Sequence, residues 1–201
     1  MSRIYEVERK FCFAFANISR FHHNKGAVPF TSIVFKGSTG QQDIYYDTKA
    51  YDLDKHMVWV RLRDGHWEAK TLRAGSHERA TYEEVKGRQG IVRMLRDLGM
   101  ANWKEKEQVP GNFGLSKIVE FATARRTYKV DGKFTVVLDT TDFGHAVGEV
   151  ELIGNDGIKC HEEIDDFISK HRWFFETAGT VKSKMRAYWD AFPRGSELVQ
   201  E

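Results

Sequence analysis

Apolar and polar positions alternate along most of the chain, and the period of that alternation changes at a few glycine-marked points. Residues 3–15 are rich in β-branched and aromatic types and alternate in character, which predicts a strand. Asn17 to Lys25 reads as a short helix or loop, followed by strands near 28–37, 42–47 and 57–63. Asp64-Gly65 lies between two alternating runs, the strongest short-range signal for a tight hairpin, and the return strand is His66 to Leu72. Residues 78–86 read as another strand, and Gln89 to Leu98 as an amphipathic helix capped at Gly99. A strand over 118–130 turns at Asp131-Gly132 into 133–140, and Ala146 to Ile153 runs on to a turn at Asn155-Asp156-Gly157. His161 to Lys170 predicts a helix with Ile164, Phe167 and Ile168 on one face, and a last helix near Lys182 to Phe192 stops before Pro193. About eight strands and three hairpin signals predict an antiparallel barrel with helices outside it. One domain is expected over 1–193, with 194–201 a frayed tail.

Residues two apart in a strand share a face. The first strand therefore carries Ile4, Glu6, Glu8, Lys10 and Cys12 on one side and Tyr5, Val7, Arg9 and Phe11 on the other. Trp59, Arg61 and Arg63 share a face, as do His66, Glu68 and Lys70 on the return strand. Phe121, Thr123, Arg125 and Thr127 form another row, then Thr135, Val137 and Asp139, then Glu149 and Glu151. Any one such row is explained by a solvated outer face. Together they point elsewhere, because several rows mix acids with bases while the opposite rows are apolar enough to pack under helices. Ionised groups aimed into a barrel cost several kcal/mol each unless paired or liganded. A polyphosphate with a divalent cation satisfies both signs: Arg and Lys take phosphate oxygens and carboxylates take the metal. An internal network of salt bridges fits the same pattern.

Composition narrows the class. The 201 residues, 41% apolar and 30% charged, suit a soluble globular protein, and a net charge of +2 argues against one built to coat nucleic acid. No apolar run approaches the roughly 18 residues that span a bilayer. The first residues have no apolar core of a secretory signal, so a cytoplasmic protein with Cys12 and Cys160 as reduced thiols is expected. Their spacing does not suit a structural zinc site. His22 and His23 read as exposed loop residues, and the Lys104 to Glu107 charge run as a solvated face.

The ordered set of charged residues resembles the CYTH superfamily, the triphosphate tunnel metalloenzymes, from Glu6 to about Tyr188. Glu6, Glu8 and Lys10 match its Glu-x-Glu-x-Lys motif. Tyr45-Tyr46-Asp47-Thr48, Arg61-Leu62-Arg63, Lys70, Arg125, Asp139, Glu149, Glu151 and the basic Lys182-Ser183-Lys184-Met185 follow in order. The resemblance implies an α+β fold, a closed eight-stranded antiparallel β-barrel forming a triphosphate tunnel with flanking helices. It also implies that Lys10, Arg61, Arg63, Lys70, Arg125 and Lys184 (or Lys182) bind the triphosphate. Glu6, Glu8, Asp139, Glu149 and Glu151 would bind Mg²⁺ or Mn²⁺, with Glu84 or Glu83 as a further candidate.

Within that family the sequence resembles the thiamine triphosphatase branch, where a tryptophan at the place of Trp59 stacks on the thiamine; an aromatic plug at the tunnel mouth is the other reading of Trp59. The expected activity is hydrolysis of the terminal phosphate of a small-molecule triphosphate, thiamine triphosphate, by a monomer without nucleic-acid or membrane partners. Water held by an acidic residue, Glu6 or Glu8 first, or by a second metal would attack the terminal phosphorus in line, and Tyr45 beside Lys70 would supply a proton or polarise the water. An inorganic tripolyphosphatase of the same family and a non-catalytic barrel that binds polyphosphate or nucleotide are the alternatives.

Overall fold

The structure is a computed structural model and describes residues 3–101, 109–176 and 178–194. The Lys104 to Glu107 run and the tail beyond Arg194 lie outside the described residues. Among the described residues eight strands form: β1 (Tyr5–Phe11), β2 (Ile33–Asp47), β3 (Val58–Arg63), β4 (His66–Gly75), β5 (Arg79–Lys86), β6 (Ser116–Val130), β7 (Phe134–Thr141) and β8 (Ala146–Gly154). They pair antiparallel in the order β1-β5-β4-β3-β2-β6-β7-β8, and β8 returns to β1 to close a ring. Two meanders, β2 to β5 and β6 to β8, are thus joined along β2–β6 and stitched at the far side by β1.

Among the described residues six helices flank the ring: α1 (Phe15–His22), α2 (Asp52–Lys55), α3 (Arg88–Asp97), α4 (Gly157–Lys170), α5 (Arg172–Phe175) and α6 (Lys184–Ala191). The outward rows of the strands are the apolar ones. Val7, Phe11, Tyr128, Val136 and Val150 pack under α1, α4 and α5 through Phe21, Ile164, Phe167 and Phe174. Val58, Val60 and Ala69 pack with Leu53, Ile91, Leu95 and Phe113 on the opposite flank. Gly148 faces Phe11 across the β1–β8 pairing; a Cβ there would lie 2.3 Å from the Phe11 ring, so a glycine is required for this packing. With the apolar faces covered outside, the charged rows are left to the interior.

Both Asp-Gly turns form as expected, with φ of 48° and 78° at Asp64-Gly65 and 51° and 66° at Asp131-Gly132, as a two-residue hairpin of this kind needs. Several boundaries differ from the expected ones. The strands near 28–37 and 42–47 are one 15-residue strand, β2. The Gly37-Ser38-Thr39-Gly40 stretch does not break it: the register shifts between Phe35 and Gly37, Gly37 takes φ of 130°, and pairing with β6 continues to Asp47. The first strand stops at Phe11, and Phe15 already lies in α1, so His22 is exposed on a helix rather than in a loop. The Asn155-Asp156-Gly157 turn opens α4, where the Asp156 side chain accepts from the Lys159 amide. The one-turn helices α2 and α5 carry no periodic signal that would have announced them.

Candidate active site

Register brings the charged rows to one interior. β1 sits between β5 and β8, with Lys10 opposite Glu149 and Glu8 opposite Glu151. On the facing meander Trp59 pairs with Lys70, Arg61 with Glu68 and Tyr45, Arg63 with Asp43, and Lys70 with Glu84. Arg125 pairs with Asp139 across β6–β7. All six expected phosphate-binding cations, Lys10, Arg61, Arg63, Lys70, Arg125 and Lys184, line one cavity of about 720 Å³. Glu6, Glu8, Glu149 and Glu151 line it too, with Tyr45 and Trp59.

The two members of each open pair sit differently in the structure. Glu84 lines the cavity and meets Lys70 at 3.4 Å, whereas Glu83 pairs with Arg73 at the outer surface. Lys184, at the start of α6, is buried against Asp139; Lys182 pairs with Asp190 at 2.9 Å. Asp139 lies elsewhere than expected. It is fully buried and not among the residues lining the cavity, and its two oxygens accept Arg125 at 2.7 Å each while also holding Lys184. Tyr45 is not bonded to Lys70: its hydroxyl accepts from Arg61 at 3.4 Å. The ring beside Lys70 is Tyr82, 5.1 Å from the ammonium, with Lys10 at 5.8 Å.

Charge and burial tune this interior. Lys70 Nζ donates to Glu6 at 2.6 Å and to Glu8 at 3.4 Å, and Lys10 bridges Glu8 and Glu149. Burial opposes charge on Lys70, yet Glu6 and Glu84 hold its pKa above the ordinary value. Burial would likewise raise the Glu149 carboxyl, but Lys184, Lys10 and Arg125 keep it well below its usual range. Glu151 has less compensation: burial, with Glu6 and Glu149 nearby, pushes it up to about 7. Burial pushes Lys10 down, helped by Lys70 and Lys184, and drives the Tyr82 phenol up to about 12.

The donor set suits a hard divalent cation, since Glu6, Glu8, Glu84, Glu149 and Glu151 offer only carboxylate oxygens. Among the described residues no three carboxylate, imidazole or thiol groups converge to cage an ion by themselves. Tyr82, Glu68, His77 and Asp54 also line the cavity and were not singled out from sequence. Glu68 was visible in the same row as Lys70, and Tyr82 shares the face of Glu84 once the phase of β5 is known.

The structure thus defines a class of protein by its fold, a closed antiparallel ring with rows of cations and carboxylates around an internal cavity. The chain belongs to the CYTH family: the CYTH domain profile matches residues 5–185. It is 32% identical to the thiamine-triphosphatase of Homo sapiens over 177 residues, covering 80% of this chain and 70% of that protein. It is 30% identical to the thiamine-triphosphatase of Macaca fascicularis with the same coverage. Among solved structures, a Pyrococcus horikoshii protein superposes with a TM-score of 0.64 at 16% identity, covering 92% of this chain and 99% of that one. A Hippeastrum protein, described as an adenylyl cyclase candidate with a dominant triphosphatase activity, superposes with a TM-score of 0.56 at 16% identity, covering 94% and 96%. At that identity the structural likeness speaks to the fold.

Proposed function

We propose that the protein is a metal-dependent triphosphatase that hydrolyses the terminal phosphate of thiamine triphosphate, releasing thiamine diphosphate and phosphate. The observation that carries this reading is the convergence on one cavity of Lys10, Arg61, Arg63, Lys70, Arg125 and Lys184 with Glu6, Glu8, Glu84, Glu149 and Glu151. Two relatives named thiamine-triphosphatase support the organic substrate, as does Trp59, which lines the cavity on the strand that holds Arg61 and Arg63.

Bound triphosphate would exchange with the carboxylates now paired to the lysines. Lys10, Arg61, Arg63, Lys70, Arg125 and Lys184 take phosphate oxygens and orient the chain. The released Glu6, Glu8, Glu84, Glu149 and Glu151 are then available to hold Mg²⁺ or Mn²⁺; Asp139 anchors two of the cations from behind. A divalent ion there supplies neutralisation of the charge that builds on the leaving diphosphate. Glu6 or Glu8 takes the proton of the attacking water as a new P–O bond forms at the terminal phosphorus and the bond to the bridging oxygen breaks. Lys70, held between them, stabilises the developing charge, with Tyr82 beside it and Tyr45 steadying Arg61. We read the protein as a cytoplasmic monomer acting on a small molecule, without nucleic-acid or membrane partners. No helix among the described residues is long and apolar enough to cross a membrane.

An inorganic tripolyphosphatase is the second reading, favoured by the edge-on packing of Trp59 against Tyr82 and His77, which suits a plug as well as a stacking platform. Phosphate release from thiamine triphosphate, tripolyphosphate and ATP with Mg²⁺ separates the two. Trp59→Ala is expected to lower kcat/KM for thiamine triphosphate by about tenfold more than for tripolyphosphate, the size of a cation–π contact. Equal losses would make Trp59 a plug, and no release from any triphosphate would leave a binding barrel.

A further inference from the structure

Beyond the phosphate clamp, one corner of the cavity rim is built of aromatic rings around a carboxylate, and a cation of the chain itself fills it. Arg194, just past α6, donates from Nη2 to Oδ2 of Asp54 on α2 at 2.6 Å. Its guanidinium lies over the Tyr51 ring at 4.3 Å and the Trp189 ring at 4.9 Å, and those two rings meet edge to face at 86°. The other Asp54 oxygen accepts from Trp59 Nε1 at 3.1 Å, so one carboxylate ties the indole to the corner that Arg194 occupies. Asp54, Trp59, Trp189 and Arg194 all line the cavity.

Rings that attract a cation through their faces, set around a single carboxylate, recognise a delocalised organic cation without demanding a fixed hydrogen-bond pattern. The present occupant is only loosely held. The Arg194 and Asp54 side chains are 40% and 28% exposed, so their attraction is screened and easily exchanged. The geometry points to a cation-reading subsite at the rim, formed by Asp54, Tyr51 and Trp189 beside Trp59, which Arg194 fills until the cationic head group of an organic triphosphate displaces it. Asp54 is then a specificity-determining residue: it exchanges the guanidinium for the head group while the phosphates lie in the clamp. This rests on the proposed reading that the substrate is an organic triphosphate with a positively charged head.

Calorimetric titration with thiamine diphosphate and with inorganic diphosphate, at equal Mg²⁺, reads the subsite without relying on turnover. The wild type is expected to bind thiamine diphosphate about tenfold more tightly than inorganic diphosphate, a gap of the size that ring and charge contacts give. Arg194→Ala removes the internal competitor and widens the gap by about threefold to fivefold, Arg194→Lys restores it, and Asp54→Asn narrows it to about twofold. Arg194 is exposed and follows the last helix, so its replacement tests the subsite even where Asp54→Asn fails to fold. An Arg194→Ala variant that weakens both ligands in parallel, or leaves the gap unchanged, would overturn the proposal and make the residue a strap between α2 and α6. A retained gap in a protein that releases no phosphate from thiamine triphosphate would sink the activity and keep the subsite.

Discussion

The inner wall holds two kinds of ion pair, and they differ in which partner faces the cavity. Arg63 forks Asp43 at 2.6 and 2.7 Å, and Arg125 forks Asp139 at 2.7 Å on both arms. Both aspartates are fully buried, and neither is among the described residues that line the cavity. Lys70 and Lys10 are partnered differently. Lys70 reaches Glu6, Glu8 and Glu84, Lys10 reaches Glu8 and Glu149, and every one of these glutamates lines the cavity. A two-armed guanidinium–carboxylate pair fixes direction as well as charge, whereas an ammonium accepts any anion within reach. Asp43 and Asp139, behind Arg63 and Arg125, are therefore placed to act as scaffold, and the glutamates in front of Lys10 and Lys70 are placed to exchange for another anion.

That division makes different outcomes for nominally similar substitutions. Glu8→Gln is expected to lower kcat by about a thousandfold, the range for loss of a group that handles the reacting water. The fold should survive it, because Lys10 keeps Glu149 at 3.4 Å and Lys70 keeps Glu6 at 2.6 Å; a wild-type rate would remove Glu8 from the chemistry. Asp139→Asn should act on stability instead, costing about 3 kcal/mol in a urea titration, since it strips the charge from beneath Arg125 and Lys184. A loss under about 1 kcal/mol would show that the fork is not structural and would return Asp139 to the metal site.

Glu151 gives the smallest effect and a pH signature. Its carboxyl titrates near 7 in the folded protein against an ordinary value of 4.5. The folded state thus binds the proton more tightly than the unfolded one, and stability falls as pH rises from 4.5 through 7. In metal-free buffer Glu151→Gln should be more stable than the wild type at pH 8, by about 1–2 kcal/mol, and equal to it at pH 4. A difference that persists at pH 4 would trace to packing rather than to charge.

Sequence carried the strand faces well because strand parity is local. The rows through Glu6, Arg61, Arg125 and Glu149 all turn inward as their spacing requires. Depth behind the wall is not local. Asp139 and Glu149 share the inward parity of their strands, yet one is sealed beneath Arg125 and the other faces the cavity. Glu83 and Glu84 were indistinguishable until the pairing of Lys70 with Glu84 fixed the phase of β5, and a register shift between Leu72 and Ala74 adjoins that pairing. The Asp54–Arg194 pair joins a one-turn helix to the end of the last one, and no spacing rule relates such positions. The long β2 was hidden for the opposite reason: Gly37 and Gly40 look like a break, and pairing with β6 absorbs them as an irregularity.

The ring is closed by its earliest strand. β1 pairs with β5 on one side and with β8 on the other, so the seam brings Lys10, from the first strand in sequence, against Glu149, from the last. Of the eight strands β1 is made before the others, and one of its two partners, β8, is made after them. The charged rows therefore have no enclosed interior to face until β8 docks, and contacts of such long sequence separation form slowly. The same β1–β8 pairing that closes the ring therefore also encloses the site.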